Sequence, residues 1–173
     1  MTSSIVPFNI GSTLLTRQSL SSSNVVKSAN DPLGFLCFYL DDRLYGVDLD
    51  LICEIVKPPP LTRVPRIDPF VLGVISIRGQ VVTLVDLRQM MDLEPTSWPR
   101  TGRVIVVEIA GEHIGLLVDK VTHVRRINFS DLEKSPSLCE EHRADHVLFI
   151  SRPTPEELLV IIDLDTVLGE KIQ

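Results

Sequence analysis

The chain has 173 residues, 44% hydrophobic and 5% aromatic, with a formal net charge of −6. That is enough apolar material for one compact domain or two small, closely packed halves. The acidic balance argues against a nucleic-acid partner, which needs a basic face to displace phosphate counterions.

Residues 1–34 hold eight serines and only three charged side chains, Arg17, Lys27 and Asp31. They read as a flexible N-terminal tail, since two scattered cations are few for a transit helix. No basic region precedes an apolar core, and no apolar run approaches the roughly 20 residues that span a bilayer, so a cytoplasmic protein without membrane insertion is expected. The cysteines, Cys37, Cys53 and Cys139, include no Cys-x-x-Cys pair and imply no disulfide framework. Cys37 and Cys53 lie in apolar runs and read as small buried hydrophobes.

From Phe35 onward a unit occurs twice. The segment from Phe35 to Val56 and that from Val104 to Val124 superpose when the first is shifted by 69 residues, which brings Gly46 onto Gly115, Ile52 onto Val121 and Ile55 onto Val124. Each copy is an apolar strand, a polar turn (Asp41-Asp42, or Ala110-Gly111-Glu112) and a second strand, the pattern of a hairpin. Phe70 to Leu87 has a counterpart in His146 to Leu164, with Val85-Asp86-Leu87 matching Ile162-Asp163-Leu164. Three short helices are expected: Asp86–Leu93, and two after the apparent capping boxes Ser130-x-x-Glu133 and Ser137-x-x-Glu140. A five-stranded sheet cannot hide an apolar face unless it closes or packs on another. The expected fold is therefore all-β, two small five-stranded barrels packed together with short helices, within residues 35–173. The first barrel is placed at roughly 35–95 and the second at roughly 100–168, with exchange of terminal elements between them left open.

Little in the sequence suggests chemistry. There is no Gly-x-Ser-x-Gly elbow, no P-loop and no Gly-x-Gly-x-x-Gly, so no catalytic residue and no cofactor is expected. Asp86 and Asp163 are repeat-equivalent and read as caps of the helices that follow their strands rather than as a catalytic pair. Cys139, His142 and His146 share one face of a helix, but their spacing is that of no familiar zinc motif; a solvated face is expected and a small zinc protein is the remote alternative. Arg78 ends an apolar strand before Gly79. It reads either as a turn arginine pointing to solvent or as a groove-edge cation that anchors a partner through several donors.

The stretch Gly73-Val-Ile-Ser-Ile-Arg-Gly-Gln-Val-Val-Thr-Leu-Val-Asp-Leu-Arg88 resembles the signature of the CheW-like coupling proteins, Gly-Val-Ile-Asn-Leu-Arg-Gly-x-(Ile/Val)-x-Pro-(Ile/Val)-(Ile/Val)-Asp-Leu-Arg. Tyr45-Gly-Val-Asp-Leu, Glu54-Ile-Val, Thr62-Arg-Val-Pro65 and Gly115-Leu-Leu-Val-Asp-Lys-Val are also similar and fall in the same order. The resemblance covers about Phe35 to Leu168 and implies two SH3-like β-barrels around a shared core. It also implies a non-enzymatic adaptor, or scaffold, of chemotaxis signal transduction. Such a protein binds the cytoplasmic tip of a chemoreceptor (a methyl-accepting protein) and the regulatory domain of a CheA-like histidine kinase. It is cytoplasmic, recruited to receptor arrays at the inner membrane, with weak self-association there.

In the family the receptor tip lies along the groove between the barrels, a helix-in-groove mode. By resemblance Arg78 is the groove arginine, Gly73 the glycine five residues before it, and Ile114 and Gly115 groove positions on the second barrel. Ile52 and Glu54 match positions on the first barrel that respond to receptor or kinase. Ser76 and Thr83 depart from the family's Asn and Pro, and Phe149 stands where the second half often has Gly, so a different turn is expected there. With the Ser-rich tail, these departures suggest a divergent adaptor. The alternative is a regulator of a non-flagellar pathway (pili or gliding) that binds only one partner.

Overall fold

The computed structural model describes residues 31–65, 68–94, 99–134 and 146–169. Residues 1–30 of the proposed tail, the Ser137-x-x-Glu140 box, Cys139 and His142 lie outside the described residues; the tail's last residues do not, since Leu33 and Gly34 open β1 and pair with Ile127 and Arg126 of β8. The elements in chain order are β1 (Leu33–Leu40), β2 (Arg43–Asp48), β3 (Ile52–Val56), β4 (Val71–Ile77), β5 (Gln80–Asp86), α1 (Leu87–Met90), β6 (Arg103–Ile109), β7 (Glu112–Val118), β8 (Lys120–Ile127), β9 (Val147–Thr154), β10 (Glu157–Ile162) and α2 (Leu164–Gly169).

The strands form two five-stranded sheets, ordered β8-β1-β2-β10-β9 and β3-β6-β7-β5-β4. Adding five to each strand number, cyclically, turns the first order into the second, so the repeat read in sequence is a repeat in space. The sheets do not follow a division near residue 95, however. Hairpin β1–β2 joins β8, β9 and β10, and hairpin β6–β7 joins β3, β4 and β5. The cause is two abrupt crossings. After β2, a single turn of 3-10 helix at Leu49–Leu51, capped by the Asp48 carboxylate accepting from Asp50 N–H, sends the chain into the other sheet. After β7, Asp119 alone separates the strand from β8 in the opposite sheet. Each exchanged hairpin is then held by a parallel pairing, β2 on β10 and β7 on β5.

Each sheet is closed by one isolated bridge in the same relative place. Thr62, beyond β3, exchanges two backbone hydrogen bonds of 2.9 Å with Val74 on β4; Glu133, beyond β8, exchanges two of 2.8 Å with Ile150 on β9. These bridges join what would otherwise be opposite edges, the liability of any small sheet. They also correct one expectation. Ser130-x-x-Glu133 is not a capping box: Phe129–Asp131 is one 3-10 turn, and Glu133 is extended, its backbone committed to Ile150.

Side-chain alternation separates three cores. Within one barrel pack Ile75, Ile77, Val82, Leu84, Val104, Val106 and Leu117; within the other Phe35, Cys37, Leu44, Phe149, Leu159 and Ile161. Between them lies a larger shared cluster that includes Phe38, Leu40, Val85, Ile105, Leu116 and the buried face of both helices. Strands such as β6 are therefore buried on both faces, which is why Val104 to Val107 read as an unbroken apolar run. Asp86 and Asp163 are caps, as expected: Asp86 accepts from Arg88 N–H, and Asp163 accepts from Asp165 N–H and Thr166 N–H. Phe149 sits inside β9 rather than at a turn. It is buried, and its ring meets Phe129 edge to face at 5.8 Å.

Candidate partner-binding surface

Five of the six residues singled out from sequence lie on strands of one sheet, β3-β6-β7-β5-β4, and the sixth, Arg78, on its β4–β5 turn, so they do not fall on two barrels: Ile114 and Gly115 lie on β7, which exchange has placed beside β5. Ile52 is opposite Val107, Val107 opposite Ile114, and Ile114 level with Thr83. These four make a row across four strands, on the face that further along buries Ile105, Leu116 and Val85 in the shared core. The row is where that core meets the surface. Ile52 is half-buried and Ile114 buried, while Val81, two residues before Thr83 on the same face, is 75% exposed. An open depression lined by Gln80, Val81, Thr83, Glu112 and His113 lies at this end.

Gly115 and Gly73 are explained by the fold itself. A side chain on Gly115 would point into the barrel, with its Cβ 2.9 Å from Val104 Cγ1 and 3.2 Å from Leu84 Cδ1. At Gly73 φ is +145°, and a Cβ would lie 2.3 Å from the Thr62 carbonyl oxygen, the group that closes the barrel. Neither glycine is accessible as a contact, although both set the shape of the surface.

Arg78 occupies the turn between β4 and β5. With Gly79 it has positive φ (49° and 82°), the two-residue hairpin geometry whose twist matches the strands. Ala110-Gly111 does the same between β6 and β7. A left-handed backbone at a non-glycine residue costs about 1 kcal/mol. The Arg78 side chain is 82% exposed, and its Nε donates to Glu54 Oε2 at 3.2 Å. The pair crosses the barrel rim from the β4–β5 turn to β3 and joins the residue expected to meet the receptor with one expected to meet receptor or kinase. The second barrel has a rim pair of reversed sign, Arg125 on β8 with Glu157 at the start of β10.

Two features were not legible in the sequence. Cys53 is exposed rather than buried, because the register slips between Ile52 and Glu54 and Cys53 is the extra residue of that bulge. Burial, then the nearby Glu108 and Glu54 carboxylates, push its thiol up. The second feature is Arg88. Its guanidinium, 12% exposed, pairs with Asp119 and lies 3.6 Å from Asp41, while its Nε donates to the Glu94 carbonyl at 3.1 Å. Asp41 N–H donates to the same Asp119 carboxylate at 2.7 Å. Arg88 thus ties α1 to the β1–β2 hairpin tip and to Asp119, the single residue at which the chain crosses from β7 to β8. Of the remote zinc reading, the described residues contain only His146, which is buried and whose Nδ1 has no hydrogen-bond partner among them.

Comparison with known proteins gives a consistent result. The family model of the CheW-like domain matches residues 34–171. The chemotaxis protein CheW of Helicobacter pylori is 32% identical over 130 residues, 75% of this chain and 79% of that protein. Protein FrzA of Myxococcus xanthus is 32% identical over 116 residues, 66% of this chain and 71% of that protein. Among solved structures, the scaffolding protein TtCheW from Thermoanaerobacter tengcongensis superposes with a TM-score of 0.72 at 29% identity, covering 79% of this chain and 92% of that one.

Proposed function

Because the chain belongs to the CheW-like domain family, with its two SH3-like barrels, we propose that it is a non-catalytic adaptor coupling a chemoreceptor to a CheA-like histidine kinase. The observation that carries the reading is Arg78. It stands in the family's signature stretch, and its side chain projects 82% exposed from the rim, where it pairs with Glu54. Half-buried Ile52 and exposed Val81, at the margin of the core that buries Val107 and Ile114, supply apolar contacts for a receptor helix, and Arg78 and Glu54 supply a charged margin that orients it.

Coupling of this kind needs no chemistry. An adaptor transmits only if its complex with one state of the receptor or kinase is favoured over that with another. A frame of two barrels around one core holds its surfaces in fixed relation, so a shift of the receptor tip is passed on rather than absorbed. No described helix is long and apolar enough to cross a membrane, and the proposed location is the cytoplasmic side of receptor arrays.

The deciding experiment is co-sedimentation of the purified chain with receptor-containing membranes, with and without the host's CheA-like kinase. The expected outcome is pelleting with receptor and recruitment of kinase activity. Pelleting with receptor while kinase stays in solution would make the chain a single-partner regulator. Binding to neither would overturn the adaptor reading.

A further inference from the structure

We propose that Cys53, Glu108 and His113 form a surface zinc site with an open coordination position. The residues stand on three neighbouring strands, β3, β6 and β7, and their ligating atoms all lie within 4.8 Å of one another. Glu108 and His113 are directly opposed in the β6–β7 ladder, with His113 Nε2 3.9 Å from Glu108 Oε2. Cys53 joins them because of the bulge: the extra residue between Ile52 and Glu54 turns its sulfur toward this rim. The sheet has therefore placed three side chains, far apart in sequence, around one point. This proposal is independent of the adaptor reading and of the Cys139, His142 and His146 face.

The donor set selects the metal. A thiolate, an imidazole and a carboxylate are a poor match for calcium or magnesium, which take oxygen ligands. They suit zinc, whose bonds to such groups run about 2.0–2.3 Å and place tetrahedral ligands about 3.4–3.8 Å apart. Small side-chain rotations bring the present spacing into that range. The Glu108 carboxylate brings to the cluster a negative charge that a bound cation would neutralise. On binding, the Cys53 proton goes to solvent and the thiolate bonds the ion. Three protein ligands leave the fourth position to water or to a group from a bound partner. Among the described residues no other group of three His, Cys, Asp or Glu side chains is so arranged.

The test is titration of the metal-free, reduced full-length chain with cobalt(II), followed by displacement with zinc(II). One equivalent of cobalt should produce a thiolate-to-metal charge-transfer band and the intense visible bands of a tetrahedral ion, both abolished by zinc. Cys53→Ser should remove the charge-transfer band, while Glu108→Gln and His113→Ala should each weaken binding at least about tenfold, the loss that even an outer-shell partner can produce. All three positions lie at the surface or partly exposed, so thermal melts of the variants serve as the control for folding. Absence of a thiolate band in the wild-type chain overturns the proposal. So does a band that survives Cys53→Ser, or unchanged affinity in both Glu108→Gln and His113→Ala.

Discussion

Arg78 and Glu54 meet at an exposed rim, where an ion pair contributes about 0–1 kcal/mol. Arg78→Glu should therefore leave the thermal melt nearly unchanged while, on the proposed function, abolishing co-sedimentation with receptor membranes, because it sets two carboxylates together where the proposed contact needs a cation. Equal loss of folding would make Arg78 a structural residue. Cys37 behaves in the opposite way: it is wholly buried, and burial foremost, with Glu157 adding and Arg125 opposing, pushes its thiol from the ordinary 9.0 to about 11. Below pH ~9 the thiol is protonated in folded and unfolded chains alike. Above it the unfolded chain ionises first, so stability falls as pH rises toward about 11 and levels off beyond, a loss of roughly 2–3 kcal/mol. Urea melts across that range should show the decline in the wild type and a shallower one in Cys37→Ala. The two cysteines also mark how far residue-level reading reaches. Both sit in apolar runs, but one bulge beside Ile52 puts Cys53 on the surface, and bulges leave no mark in hydrophobic pattern.

Among the elements, barrel closure rests on short extended segments outside the main strands. Thr62 pairs with Val74 only because Gly73 offers no Cβ, so Gly73→Val should break that bridge. We expect a loss of roughly 2–3 kcal/mol in chemical denaturation, with any fall in partner binding following from it. Undiminished stability with lost binding would instead make Gly73 a contact. The corresponding position in the other barrel shows a different solution: Phe149 packs on Phe129 while Ile150 makes the bridge to Glu133. Hairpins and helix caps were legible because each is written in adjacent residues, as at Asp86 or Ala110-Gly111. The Glu133 bridge was not, because a Ser-x-x-Glu spacing looks the same whether or not the glutamate's backbone is claimed by a distant strand. The candidate surface divided in the same way. Arg78, Ile52, Glu54 and Ile114 could each be named from contiguous motifs, but the Arg78–Glu54 contact appears only when the barrel brings the β4–β5 turn to β3, and the Ile52–Ile114 row only when β3, β6 and β7 lie side by side.

At the scale of the whole molecule, the 69-residue repeat announced two equivalent barrels but not which hairpin each would contain. Leu44 on β2 pairs beside Leu159 on β10, and nothing in two leucines distinguishes that choice from pairing within one half. The exchange means that neither half owns a complete sheet. Cutting the chain within 95–98 should give fragments without a cooperative melt of their own, which regain one when mixed. A stable isolated first half would show that exchange is dispensable. The same wiring bears on how the protein comes into being. As the chain is synthesised, hairpin β1–β2 emerges early, yet its neighbour β10 is the last strand of the fold, so Leu44 and Tyr45 wait beside an open edge while all the intervening residues are made. Folding dominated by such distant pairings takes milliseconds to seconds. The interval before β10 arrives is therefore the time when this otherwise closed molecule is most open to aggregation or to capture by a chaperone.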